Sequence, residues 1–258
     1  MSVRPNSRLL LCLLSLALLT GCAGAEPVNA VTAETAENAA TPEAAPTPSP
    51  TPAPTPSGSH LIADFPLLLQ MPELPTGCEV TALTMVLQYY GFDADKVEMA
   101  ADYLPTAPAD FSTGEDGLTY GPDLEQYFVG DPFGSGYICG TAPIVAAADG
   151  YLADQGSGLR AEDLTGAEPE DLYVLVDQDV PVVVWVTISM EERLPTDGWY
   201  TTDGDYVEWS SNDHGAVLIG YDAETVIIAD PLAGQIEYPR ASFEAVFASR
   251  GNQCVILQ

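Results

Sequence analysis

The composition of this chain changes abruptly near residue 60, and that break limits which residues can build a core. Residues 23–59 are rich in Ala, Thr, Pro and Glu and have almost no large apolar side chain. Thr-Pro and Ala-Pro steps recur there from Thr41 to Pro56. Proline removes backbone donors and favours extended polyproline-type backbone. Without apolar area, nothing offsets an ordering entropy of about 1–2 kcal/mol per residue. The stretch is expected to act as a semi-rigid tether. From Leu61 onward the pattern is globular. With 258 residues in all, 47% of them hydrophobic, the chain supports one sizeable core rather than two.

Ahead of the tether, Arg4 and Arg8 precede an apolar run from Leu9 to Leu19 that ends in Leu19-Thr20-Gly21-Cys22. A short apolar run behind positive charge is a signal-peptide pattern, and it is too short for a permanent membrane-spanning helix. Its end resembles the bacterial lipobox, in which the Cys becomes the lipidated first residue of the mature protein. The expected organisation is a lipoprotein signal peptide over 1–21, a lipidated Cys22 with its tether over 22–59, and one domain over 60–258. The expected location is the bacterial cell envelope, on the outer face of the cell membrane, with the membrane engaged through Cys22.

Lys+Arg number 7 against Asp+Glu 38, a net charge of -31. Such a surface repels phosphates, so nucleic acid is not an expected partner. The five cysteines form no CxxC pair and there are two histidines. No metal site and no cofactor are expected.

Within the globular part, Val80, Leu83, Val86 and Leu87 recur at helical spacing and predict a helix over Cys78–Tyr90, with Gly91 closing it. Thr76 and Glu79 have the spacing of a capping box. Further helices are expected over Asp95–Tyr103, from an N-capping Thr141 to about Leu152, over Glu168–Asp177 and over Ser242–Arg250. Residues 104–139 read as loop. The β-branched run Val180–Ile188 predicts a buried strand. Tyr206–Trp209, His214–Tyr221, Thr225–Ile228, Gln235–Tyr238 and Gln253–Leu257 are further strand candidates. A helical first half followed by an antiparallel β-rich second half is the α+β class.

Cys78 stands in the first turn of its helix, where free N–H groups and the positive dipole end favour a thiolate, the reactive form of cysteine, while a Glu79 carboxylate beside it would push the thiol upward and partly oppose the dipole. His214 is the histidine well inside the globular part and opens an apolar strand. Asp230 ends the next strand, where an antiparallel neighbour would reach His214 Nδ1; Asp213 is its rival. Gln70 lies a short loop ahead of Cys78, and its amide, with the Cys78 N–H, would meet an oxyanion. Singly, each has a plain structural explanation: a small buried Cys, a satisfied His, an Asp-Pro turn. Their order and local settings together match one mechanism, a thiol nucleophile with an imidazole base, an orienting carboxylate and oxyanion donors.

Gln70, Leu74-Pro75-Thr76-Gly77-Cys78-Glu79, Tyr89-Tyr90-Gly91, His214-Gly215-Ala216-Val217-Leu218-Ile219-Gly220-Tyr221-Asp222 and Ala229-Asp230-Pro231-Leu232 resemble the motifs of the peptidase C-39-like family, papain-fold relatives of bacteriocin-leader peptidases. The resemblance spans roughly residues 61–258. It implies a papain-like cysteine peptidase fold acting on peptide or protein substrates, with Cys78 as nucleophile, His214 as base, Asp230 as its partner and Gln70 as oxyanion donor. It names no substrate. Two other readings stand beside it: a binding lipoprotein of the same fold with little activity, and a cell-wall peptide amidase or transpeptidase. Trp199 and Trp209 flank a Gly/Asp hairpin near His214 and are candidates to line a substrate cleft or to pack in the core. Cys139 and Cys254 are expected to be free buried thiols.

Overall fold

The computed structural model describes residues 55–258. The signal peptide, the lipidated Cys22 and nearly all of the tether expected from the sequence lie outside the described residues. Among the described residues, no helix is long and apolar enough to cross a membrane.

The centre is an antiparallel sheet of seven strands: β1 (His60–Leu61), β2 (Ala161–Asp163), β3 (Val182–Thr187), β4 (Asp213–Tyr221), β5 (Thr225–Asp230), β6 (Gly234–Pro239) and β7 (Cys254–Leu257). Their spatial order is β6-β5-β4-β3-β7-β2, and β1 pairs with the far end of β4. All six residues of β3 are buried, which explains its uninterrupted β-branched and aromatic sequence. On the edge strand β6, more and less exposed residues alternate, and Pro239 closes it, as suits an edge.

Four principal helices surround the sheet: α1 (Cys78–Tyr89), α2 (Thr141–Asp154), α3 (Pro169–Val176) and α4 (Arg240–Ser249). Between α1 and α2, Asp95 caps a short helical turn over Lys96–Glu98, which continues as a π-turn over Met99–Tyr103. Helix α1 packs on β4 and β3. The sequence predicts one apolar stripe on α1, yet every residue from Cys78 to Leu87 is buried. Thr81 and Thr84 are tolerated inside because each hydroxyl donates back to a carbonyl one turn earlier, Gly77 and Val80 respectively, at 2.7 Å.

Two helix starts differ from expectation. Gly77, not Thr76, is the N-cap of α1, and no side chain caps it. Thr76 Oγ1 instead donates to the carbonyl of Asp131, and Glu79 turns inward. Likewise Gly140 is the N-cap of α2, while Thr141 is already helical and its hydroxyl donates to Asp163. In both cases a partner distant in sequence captures the side chain that local spacing assigns to the cap. The capping box present is Glu168 with Asp171, at α3.

Residues 104–139 are mostly loop with short paired segments. A small outer sheet joins Ser112–Thr113, Thr119–Tyr120, Trp199–Tyr200 and Tyr206–Val207. The whole is a mixed α+β arrangement, with the Cys helix in the N-terminal half and His214 and Asp230 on neighbouring antiparallel strands.

Candidate active site

Strand β4 runs antiparallel to β5, with Val217 opposite Ala229. That register brings the start of β4 to the end of β5, so His214 and Asp230 meet although sixteen positions apart. His214 Nε2 lies 2.9 Å from Asp230 Oδ1, with both residues buried. The carboxylate therefore engages Nε2, not the Nδ1 expected from the sequence. Burial pushes the Asp230 carboxyl up, but His214 and the N–H groups of Leu232 and Ala233 outweigh it and hold the carboxyl below its ordinary range.

Cys78 opens α1 beneath the same strand. The main-chain N–H of Gly215 points at its Sγ, at 3.4 Å. This contact puts the nucleophile candidate beside the residue that follows His214. It depends on glycine: a Cβ at 215 would lie 2.8 Å from Cα and Cγ of Glu79. Cys78 Sγ also lies 3.2 Å from Glu79 Oε2. The other oxygen of Glu79 accepts the N–H of Cys139 at 3.1 Å, and the carbonyl of Cys139 accepts Trp185 Nε1 at 2.7 Å. Glu79 is thus a buried carboxyl held between two cysteines.

Electrostatics run against the thiolate expected from the helix terminus. Burial, then the charge of Glu79, push the Cys78 thiol well above its ordinary value, and the Gly215 N–H opposes them. Burial also raises Glu79, with its own N–H and that of Cys139 pulling the other way. Cys139 and Cys254 are free and buried. Burial pushes Cys254 up to about 12.

Gln70 is buried, and its loop is tied down on several sides. Its N–H donates to Pro231 O at 2.8 Å, and its own carbonyl accepts Leu74 N–H and Lys96 Nζ. Its side-chain Nε2 donates to the carbonyls of Leu74 and Pro75, at 3.1 and 3.0 Å, while Oε1 has no partner. Both amide hydrogens are therefore committed to the loop, so Gln70 must release one before it can meet an oxyanion. The N–H of Cys78, at the first helical position, belongs to the amides that have no carbonyl within their own helix.

Asp213, the rival of Asp230, is engaged elsewhere. Its two oxygens are gripped by Arg193, at 3.2 Å, and by Arg250, at 3.0 Å. Sequence reading missed this pair and the brace that Lys96 gives the Gln70 loop. The usable signal was scarcity: a chain with seven basic residues places them where a buried acid or carbonyl needs one.

Trp199 is buried and donates from Nε1 to Pro122 O, while Tyr137 stacks edge-on against both Trp199 and Trp209 at centroid distances of 5.5 and 4.7 Å. Together with Phe111 they line a shallow cavity of about 210 Å³. A second cavity, about 590 Å³, is bordered by Cys139, Glu125, Arg193 and Arg250. Cys78, His214 and Asp230 line neither. In the chain, Tyr137 stands two residues before Cys139, whose N–H binds Glu79, and Trp209 five before His214.

The profile of the Peptidase_C39 like family matches residues 62–255. An uncharacterized Bacillus subtilis (strain 168) protein, YvpB, is 33% identical over 205 residues, covering 78% of this chain and 77% of its own. A Bacillus anthracis chain assigned as a C39-like peptidase has a crystal structure that superposes with a TM-score of 0.65. It shares 33% identity, and the match spans 78% of this chain and 97% of that one. With that extent of agreement in sequence and fold, the chain belongs to the Peptidase_C39 like family.

Proposed function

We propose that this protein is a cysteine peptidase that hydrolyses peptide bonds through Cys78, His214 and Asp230. The observation that carries the reading is the convergence at one place of three residues far apart in the chain. The Gly215 N–H touches Cys78 Sγ, and the neighbouring His214 is hydrogen-bonded to Asp230. In this mechanism His214 takes the thiol proton and the sulfur attacks the substrate carbonyl carbon. The imidazolium then protonates the leaving amine, and water releases the acyl group by the same steps. With Nε2 on Asp230, Nδ1 is the nitrogen left for the thiol proton. The Cys78 N–H, and Gln70 once one of its amide hydrogens is released, would stabilise the oxyanion. The aromatic cavity at Trp199 and Trp209 is the proposed place for an apolar substrate side chain.

Turnover of a peptide library by the purified protein tests this reading, alongside labelling with a peptide-based thiol-reactive probe mapped by mass spectrometry. Cys78→Ala and His214→Ala should each abolish turnover, and the probe should sit on Cys78. Turnover that survives Cys78→Ala would remove the thiol mechanism.

A second reading, a binding protein of this fold with little activity, draws on one observation. Cys78 is 8% exposed, and burial and Glu79 disfavour its thiolate. Peptide binding without turnover in the wild type would favour it. We also propose that Cys22 anchors the protein to the outer face of the membrane, on the evidence of the Leu-Thr-Gly-Cys site. Cys22→Ala should move the protein from the membrane fraction to the soluble one.

A further inference from the structure

We propose that Glu79 is a further residue of the reaction, the acceptor that keeps the proton on Cys78 until His214 takes it. The inference rests on Cys78 being the nucleophile. Three geometric facts carry it. Glu79 Oε2 is 3.2 Å from Cys78 Sγ, within reach of an S–H donor. Glu79 Oε1 is anchored by the Cys139 N–H, and Trp185 anchors the Cys139 carbonyl in turn, so the carboxyl is aimed rather than free to swing. Gly215 leaves open the space that any other residue would take from Glu79. Glu79 is 1% exposed. If its only task were to satisfy the Cys139 N–H, a neutral amide would serve without a buried charge.

The groups that face Glu79 are Cys78 on its own helix, Cys139 in the loop before α2, His214 on β4 and, by longer-range attraction, Arg250 after α4. A carboxylate here stabilises S–H through the hydrogen bond and repels the thiolate through its charge. It also attracts the imidazolium that forms when His214 accepts the proton. In the empty site S–H is therefore favoured over the thiolate beside Glu79. In the reaction the S–H proton passes to the imidazole, the sulfur pair forms the S–C bond, and the carbonyl π pair moves to oxygen. When the C–N bond breaks, the amine takes the proton from the imidazolium, and Glu79 keeps its charge throughout. The consequence is a nucleophile shielded from small electrophiles while no substrate is bound.

The test is the pH dependence of Cys78 alkylation by iodoacetamide, located by mass spectrometry, in the full chain and in Glu79→Gln. Glu79→Gln should react on the order of tenfold faster near neutral pH, the equivalent of about one pKa unit, with its profile displaced to lower pH. A folded Glu79→Gln with an unchanged or slower profile would overturn the proposal. If that variant does not fold, the wild type carries the test. Its thiolate absorbance, differenced against Cys78→Ala, should stay absent until pH passes the free-cysteine value of about 8.5. Thiolate already present near neutral pH would overturn it. Neither result depends on turnover, so loss of the peptidase reading through an active Cys78→Ala is a separate outcome.

Discussion

The main-chain N–H of Gln70 donates to the carbonyl of Pro231 at 2.8 Å, which ties the loop before the Cys helix to the turn that follows Asp230. The two ends of the proposed catalytic machinery therefore share one support. The Gln70 side chain adds two further bonds, to Leu74 and Pro75. Gln70→Ala should then lower stability as well as turnover. The half-buried Pro75 carbonyl loses its donor, while Leu74 keeps the Gly77 N–H, so the cost should lie near the lower end of the about 1–3 kcal/mol for an unsatisfied group. Denaturant unfolding should show a lower midpoint with an unchanged slope. A loss confined to kcat would mean that the amide acts on the oxyanion alone.

Asp213→Ala should be among the most destabilising substitutions near the site. It removes the shared partner of Arg193 and Arg250, whose side chains are 15% and 9% exposed. Breaking a buried pair by removing one member costs about 3–5 kcal/mol, because the remaining charge is left uncompensated. Thermal unfolding of Asp213→Ala against Asp213→Asn separates loss of charge from loss of the hydrogen bonds.

Gly215→Ala tests the close approach of β4 to the first turn of α1. The added Cβ has backbone on its far side, so the strand must shift or Glu79 must leave its place. Overpacking of this kind costs about 1–3 kcal/mol. Labelling of Cys78 should change in rate, since the Gly215 N–H and Glu79 both touch its sulfur. A variant with wild-type stability and labelling would show that the contact can relax freely.

Asp230→Asn should retain the fold and slow turnover, because Asp230 orients the imidazole and offsets its charge. The acid dependence has a definite sign. The folded carboxyl lies below its ordinary value, so its contribution to stability is present above the unfolded pKa of about 3.9 and is lost as pH falls through the folded one. The stability gap between wild type and Asp230→Asn should close on acidification below about pH 4. A gap that widens there would contradict a carboxylate held by the His214 ring and the Leu232 and Ala233 N–H groups.

The long elements of this fold were legible because their periodicity is strong, whereas the short strands β1 and β2 and most of the outer sheet, at two or three residues each, carry too little pattern to be read. Helix α1 spans Cys78–Tyr89 against an expected Cys78–Tyr90, and β3 occupies the β-branched run between Pro181 and Ile188. The caps were not legible, for a physical reason. The spacing of Thr76 and Glu79 advertises a local bond, but their partners are Asp131 and Cys139, more than fifty residues downstream. Local propensity cannot weigh a competitor that only the tertiary fold delivers. Asp213 and Asp230 looked alike in sequence, each beside a strand. They part company through arginines from the loop after β3 and from the C-terminal end of α4. The chain order of Cys, His and Asp pointed to one mechanism. That Glu79, the very next residue, would set a carboxyl against the thiol and push it up was legible; the bond from the Cys139 N–H that aims this carboxyl was not.

Helix α1 is enclosed on every side from Cys78 to Leu87, and this separates two timescales in one molecule. Amides in its interior should exchange with solvent only when the whole domain unfolds, while the two-residue strands of the small outer sheet can open locally. The sulfur thus stands at the first residue of the enclosed helix, and the aromatic wall at Trp199 and Trp209 on or beside the short outer strands. Substitutions at the aromatic wall, away from Asp131, Cys139 and Arg193, should reshape what is admitted while the helix that carries the thiol keeps its place.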